Sequence, residues 1–584
     1  MGLLIHPTPR RSHLSRRSQA EMETKAGCTT AISTPVSLLS VKICENPWLI
    51  PFCGSIPAKN HCEFQPGWLQ THSEMASSIN VPRTHLIMGL CLPLAVLLGY
   101  FVAQPLDSVS IAVLFMVLAL LCVPLFMKWH HPLLILSWNT TANPLFLPGR
   151  PALWMLVAII SLLFAVLARS LNSNRRFIQV PSMTKPLLFF TAVVLATALI
   201  TGGIGIRSLG SDRYGGRSYF YILAAIIGYF AFTSHRIPRH RVGLYIGMFF
   251  LSGLTAVVGD AAFVAGPPFY FLTAIFVPDT GMDQTPGVID GSTTMVRLGA
   301  LAVAGVAMYT WLLARHGIRG VFTLRQPWRL FLVLLAITGC LVSGYRSSLI
   351  LFVLTSGCVF CFEGLYRTRL LPIMAALVLL GALLLLPNAG RLPLMAQRAL
   401  SFLPAVEVDP IAKESARAST EWRVEMWKQM LPQVPKYLIK GKGYAIDPGD
   451  LFLAQQSAHR GFAIQAAASV VAGDYHNGPL SIVIPFGIFG LIGFIWLVMA
   501  SLRVLYYHYR FGDPAFHKVN TFLLAGFVAK ILIFVLIFGG LSSDLYVFLG
   551  LTGLSISLNG APQTATEPEA YPRLAAIDNP LYTG

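Results

Sequence analysis

The chain has 584 residues, 55% of them hydrophobic and only 12% charged, and its mean hydropathy is +0.65. Soluble domains carry about 25% charged residues, so this composition excludes a soluble multidomain enzyme and a chain disordered throughout. The net charge of +18 does not indicate nucleic acid, because no basic stripe is interleaved with aromatics and the basic residues cluster in short loops between apolar runs.

Residues 1–74 mix Arg10, Arg11, Arg16 and Arg17 with Pro, Ser and four cysteines (Cys28, Cys44, Cys53, Cys62), without periodicity. This segment is expected to be disordered, or to precede a true start at Met75. It lacks the basic, apolar and small-residue order of a secretory signal.

Long apolar runs then take over, such as Leu86–Ala103, Leu370–Leu386 and Leu480–Ala500. A hydrocarbon core of ~30 Å needs about 20 apolar residues in a helix. Only helices and closed barrels satisfy their backbone there, and runs without period-two alternation argue for helices. Apolar length and flanking charge predict spans at about 86–103, 108–127, 132–148, 151–168, 186–201, 219–234, 242–259, 298–314, 328–343, 347–363, 370–386, 480–501, 520–541 and 545–558. The third is interrupted by Asn139-Thr-Thr-Ala-Asn-Pro144 and the last is short. The expected fold is all-α, a polytopic bundle of 12 to 14 spans. Residues 75–386 and 480–558 form its membrane parts, 387–479 a large, partly helical periplasmic loop, and 559–584 a disordered cytoplasmic tail.

Cys91, Cys122, Cys340, Cys358 and Cys361 lie in apolar segments, so no disulfide framework is implied. Cys358-Val-Phe-Cys361 has no second pair and no nearby His, which argues against a metal site.

Lys and Arg in short loops mark the cytoplasmic side. Lys128, Arg169 with Arg175 and Arg176, and Arg236 with Arg239 and Arg241 agree on one side if every span crosses. So do Arg315 with Arg319 and Arg325, Arg367 with Arg369, and Arg503 with Arg510 and Lys518. The opposite side carries the long loops, about 260–297 and 387–479. Residues 388–478 hold 18 of the chain's 68 Lys, Arg, Asp and Glu residues, and loops of this length usually carry function. Within the second loop, Ser419–Met430 reads as an amphipathic helix. Ser419 or Thr420 caps it, Trp422, Met426 and Met430 share one face, and Pro432 and Pro435 end it.

Phosphate-loop, zinc-protease and nucleophile-elbow signatures are absent. What remains is a polar set on the loop side. Arg346 and Arg297 sit at the outer boundary, against the charge bias, where a guanidinium suits bidentate phosphate binding. Arg423 lies on the loop helix. His476, flanked by Asp474 and Asn477, has the arrangement of a general base. Lys530 falls midway along an apolar run, where a charge is a functional-site hypothesis by default.

Several of these residues carry a family resemblance. Ser343-Gly-Tyr-Arg346-Ser-Ser resembles the "S-R-G" element of the O-antigen ligase and O-antigen polymerase superfamily. Thr420-Glu-Trp-Arg423-Val-Glu-Met-Trp427 is similar to its "R-x-x-x-W" loop helix. Lys440-Gly-Lys-Gly443-Tyr444 resembles its "G-x-G-y" turn, and Asp474-Tyr-His476-Asn477 followed by Gly487-Ile-Phe-Gly490 its "H-N…G-x-x-G" end. The resemblance covers roughly residues 328–500, with one departure, Tyr-Arg-Ser in place of the usual Ser-Arg-Gly.

The resemblance implies a glycosyltransferase of the bacterial inner membrane, its site facing the periplasm, with no cofactor and no metal. Its donor would be a glycan on undecaprenyl pyrophosphate, and its acceptor lipid A–core or another glycan. Arg346 and Arg423 would bind the pyrophosphate, and His476 would act as base; Arg297 joins the pyrophosphate set from its own outer-boundary position. Asp474, Asn477, Trp427 and Lys530 would support them. Ligase and polymerase are both open at this point. The alternative from another class is a transporter or flippase with Lys530 in its pathway; the large loop with its aromatic-basic helix favours the enzyme.

Overall fold

The computed structural model of the protein describes residues 108–562 except 146, 148, 173–175, 206–214, 279, 284–294, 324, 404–405, 447–472 and 474, and before them 92, 93, 95, 96 and 99. The expectations for residues 1–74 and 563–584, and most of the first predicted span at about 86–103, lie outside the described residues.

The apolar runs become helices: α1 (Ser108–Ser137), α2 (Leu153–Leu171), α3 (Pro181–Thr201), α4 (Gly216–Phe232), α5 (Val242–Leu251) and α6 (Ala256–Ala265). A short hairpin, β1 (Thr280–Asp283) and β2 (Met295–Leu298), precedes α7 (Gly299–Val321), α8 (Pro327–Val342), α9 (Arg346–Phe362) and α10 (Leu370–Leu385). Outside the bundle, the loop folds α11 (Leu394–Leu400) and α12 (Pro410–Met430). The chain then returns through α13 (Gly478–Phe511), α14 (His517–Leu536) and α15 (Leu541–Asn559). Among the described residues, seven segments are long and apolar enough to cross a membrane, and four shorter apolar helices accompany them. The protein is a multi-pass helical membrane protein.

The second and third predicted spans are corrected. Residues 108–137 are one helix, through Pro124 and Pro132, and most of 138–152 is non-helical. Asn, Thr and Pro favour turns over helix interiors, and Asn139-Thr-Thr-Ala-Asn-Pro144 is fixed by tertiary contacts instead. Asn139 Nδ2 donates to the Phe249 carbonyl at 2.7 Å, and the buried Trp138 donates to the Tyr546 carbonyl at 3.1 Å. At the bundle's centre stands α15, 78% of whose span is buried. At its edge, α10 buries no residue, as a helix facing lipid on all sides would.

Contacts at the helix ends define two opposite faces. On one, Arg239 pairs with Asp513 at 2.8 Å, Arg236 donates to the Asn559 carbonyl, and Glu363 accepts from the Ile318 amide at 3.0 Å. Tyr509 Oη on α13 donates to the Phe362 carbonyl at the end of α9 at 2.9 Å, which joins the two sets, so the basic loops after α4, α7, α9 and α13 share that face, as the charge bias predicts. The large loop lies on the other.

The loop is tied to a break in α13. Pro485 lacks an N–H, and Gly487 adopts φ +64°, ψ −160°, so the helical ladder is interrupted. The freed carbonyls of Ile484 and Pro485 accept from the Lys442 and Gly443 amides at 2.8 and 2.9 Å, and Ile488 donates back to Leu438. Irregular backbone at this depth survives only where protein satisfies it. Gly443 (φ +68°) leaves no room for a side chain, since a Cβ would stand 2.1 Å from Thr201 Oγ1. The next amide, of Tyr444, donates to Tyr219 Oη at 3.0 Å.

Candidate active site

The sequence predicts a loop helix from Ser419 or Thr420, but α12 begins nine residues before Ser419. Its cap is Asp409, whose Oδ1 accepts from the Ile411 amide at 2.8 Å, with Pro410 at the first helical position. A Pro one position after a capping Asp overrides the weaker Ser and Thr signals further along. The apolar face does pack as its spacing of four implies. Met426 and Met430 are buried against Tyr475, Leu480 and Ile484, with Trp422 and Trp427 at the margin. This face docks α12 onto the start of α13.

Arg346 opens α9 after a turn in which Gly344 has φ +76° and Ser343 Oγ accepts from the Tyr345 amide. Its Nη2 donates to the Ala416 carbonyl at 2.9 Å and to Thr420 Oγ1 at 3.1 Å, both on α12. Arg423 lies three residues beyond Thr420, on the same face of that helix. Its guanidinium stands 5.6 Å from the Trp422 ring centre and 5.7 Å from that of Phe538, within cation–π range.

His476 meets the same two rings. Its imidazole stacks on Phe538 at 5.0 Å and meets Trp422 in a T-shaped contact at 5.2 Å. Its backbone is left-handed, at φ +47°, one of two non-glycine residues so placed among the described residues. Such a conformation costs on the order of 1–3 kcal/mol and persists only where surroundings impose it. The surroundings are visible. Next to it, the Tyr475 carbonyl accepts from Trp427 Nε1 at 2.8 Å, and on the other side Asn477 caps α13 by accepting from the Leu480 amide at 3.0 Å. Tyr475 itself is buried, which pushes its phenol well above the usual range.

The site residues read from the sequence fall into four groups. Arg346, Arg423, Trp427, His476 and Asn477 converge around α12 and the start of α13. Lys530 is held elsewhere, in an ion pair with Asp544 at 2.7 Å, both nearly buried. Asp544 Oδ2 also accepts from the Gly540 amide at 3.0 Å, so the pair braces the α14–α15 turn that carries Phe538. Arg297 lies in β2, paired with Gly281 of β1. Asp474 lies outside the described residues.

Two neighbours of the site were missed. Phe538 falls inside the predicted 520–541 span, yet α14 ends at Leu536 and Phe538 sits in the turn. The Gly539-Gly540 pair that follows it was the available signal. Arg398, on α11, is buried and donates through Nη1 to the Gly344 carbonyl at 2.6 Å and through Nε to Ser415 Oγ at 2.8 Å. No motif marks it.

The fold and site define a polytopic helical membrane protein with cationic and imidazole groups gathered beneath a structured extramembrane loop. Residues 331–495 match the family model described as O-antigen ligase. The matched stretch runs from α8 into α13 and contains Arg346, all of α12, Arg423 and His476, and it bears out the resemblance read from the sequence. No curated protein matches the chain.

Proposed function

We propose that this membrane enzyme transfers a glycan from undecaprenyl pyrophosphate to a sugar hydroxyl. The observation that carries this reading is the placement of Arg423 and His476 against one pair of rings, Trp422 and Phe538, with Arg346 gripping the same helix. In the reaction, an acceptor oxygen attacks the anomeric carbon and the bond from that carbon to the pyrophosphate breaks. The departing oxygens carry the electron pair, and the acceptor's proton passes to the His476 imidazole.

Arg346 and Arg423 hold the pyrophosphate and stabilise its growing charge; fixed cations of this kind are worth several kcal/mol in a water-poor site. Arg297, in the hairpin before α7, and Asp474 are proposed to border the same site. Asn477 and Trp427 hold the backbone on either side of His476, and Lys530 supports the turn that carries Phe538. This chemistry requires neither a metal nor a nucleotide sugar.

The site faces the periplasm of a bacterial inner membrane in this reading. The basic loops gather on the opposite face, and positive charge in short loops marks the cytoplasm. The loop-side region 387–479 then serves as the periplasmic domain, between membrane parts at 75–386 and 480–558.

Transfer in liposomes, with a glycan on undecaprenyl pyrophosphate as donor and EDTA present, tests the proposal. Product on lipid A–core indicates a ligase, and a lengthened glycan indicates a polymerase. No product with any acceptor, together with movement of donor between leaflets, would favour a transporter and sink the reading. The Lys530–Asp544 pair lends that rival little support, since it accounts for the buried lysine structurally.

A further inference from the structure

Arg346 can meet a phosphate productively only if the turn that presents it and the helix it grips are held at a fixed angle. Both are held by one side chain. Arg398 is 3% exposed, and its guanidinium reaches two elements at once. Nη1 bonds the carbonyl of Gly344, two residues before Arg346, and Nε bonds Ser415 Oγ on α12. Ser415 immediately precedes Ala416, whose carbonyl accepts from Arg346 Nη2. The two arginines therefore span the same pair of elements at adjacent points, Arg398 from within and Arg346 at the margin.

The preceding residue fixes Arg398 in turn. Gln397 is also buried. Its Nε2 donates to the Gly390 and Leu392 carbonyls at 3.0 and 2.7 Å, and its Oε1 accepts from the Asp409 amide at 2.7 Å, at the cap of α12. The short helix α11 thus carries two adjacent side chains that lock the loop to itself and to the membrane bundle. A planar guanidinium fork meets two acceptors in set directions, which the single ammonium of lysine does not reproduce.

We propose that Arg398 is a positioning residue for glycan transfer: by clamping Gly344 to Ser415 it sets the geometry in which Arg346 receives the donor's pyrophosphate. This inference rests on the assignment of Arg346 to that role. Burial and engagement with Gly344 and Ser415 place Arg398 behind Arg346 rather than in contact with substrate.

The test compares the full-length protein in nanodiscs with Arg398→Gln, Arg398→Lys, Ser415→Ala, Arg346→Lys and the double variant Arg346→Lys/Arg398→Gln. Transfer is measured with undecaprenyl-pyrophosphate glycan, and binding with inorganic pyrophosphate. Displacement of a positioned group by about 1 Å costs roughly 100-fold in rate, so Arg398→Gln and Arg398→Lys are each expected to lose about that factor. Both are expected to weaken pyrophosphate binding.

Because Arg398 acts through Arg346, the double variant is expected to be little worse than Arg346→Lys alone. A purely structural residue would instead multiply the two losses. Ser415→Ala, which removes one acceptor and little volume, is expected to reproduce part of the defect, and it serves if the Arg398 variants fail to fold. Near-native transfer and binding in Arg398→Lys and Ser415→Ala would overturn the inference, as would multiplied losses in the double variant. If the native protein transfers no glycan but binds pyrophosphate with this same coupling, the proposed reaction fails while the clamp by which Arg398 orients Arg346 toward pyrophosphate stands.

Discussion

Arg423 and His476 face a single phenyl ring, that of Phe538, at 5.7 and 5.0 Å. They arrive from different elements, one from the loop helix and one from the turn into α13, and Phe538 arrives from a third. The ring gives the guanidinium a cation–π partner and gives the imidazole a flat wall.

Removing that wall is expected to loosen both groups at once. Phe538→Leu keeps most of the volume but no ring, and a cation–π contact is worth about 0.5–2 kcal/mol. Transfer should fall by roughly 2- to 30-fold in the liposome assay while the amount of inserted protein stays the same. Wild-type activity in Phe538→Leu would show that the stacking is incidental.

Arg346 and Arg423 should not tolerate lysine. Each guanidinium makes directional or face-on contacts that an ammonium cannot repeat. Arg346→Lys and Arg423→Lys are each expected to lose about 100- to 1,000-fold in transfer, or about 2.7–4 kcal/mol of transition-state stabilisation, by comparison with loss of a fixed oxyanion donor. Steady-state rates for the two variants check this, and a loss below threefold in either would count against its place at the pyrophosphate.

The Lys530–Asp544 pair predicts a stability effect with a particular asymmetry. Lys530→Met leaves a nearly buried carboxylate without its cation, at a cost of about 3–5 kcal/mol. The double variant Lys530→Met/Asp544→Leu removes both charges and is expected to recover part of that loss, though the Gly540 amide then loses its acceptor. Melting temperatures in detergent separate the cases. Equal melting of the single variant and the native protein would mean that the pair contributes nothing.

Gly443→Ala is expected to be more damaging than its size suggests. The new methyl would press on Thr201 Oγ1, at a backbone angle that alanine adopts reluctantly. A destabilisation of about 2 kcal/mol or more follows from overpacking and strain together. Thermal melting and transfer should fall together, because the turn beside Gly443 supports the break in α13.

Most of the membrane architecture could be read from apolar length alone, since one lipid thickness fixes how long a span must be. Arg346 could be read for a related reason: an arginine on the loop side contradicts the charge bias, so its position called for explanation. The docking face of α12 was legible because Trp422, Met426 and Met430 repeat every four residues. Its start was not, because Asp409-Pro410 lies beyond the stretch with clear periodicity. Phe538 and Arg398 were invisible for a deeper reason. One is an aromatic at the end of an apolar run and the other an arginine in a loop, and each gains meaning only from partners far away in sequence. Lys530 stood out as a lone intramembrane charge until Asp544, on the neighbouring helix, supplied its counter-ion.

The interrupted helix α13 has a consequence for anyone recombining such proteins. Two of its carbonyls are completed by amides from the extramembrane segment just before it. An external loop that does not repeat the turn at Lys442 and Gly443 would leave those two carbonyls unpaired, each at several kcal/mol where water is excluded. A loop exchange therefore has to carry the break in α13 with it, which puts the crossover beyond Gly490 and not at Gly478, where α13 begins.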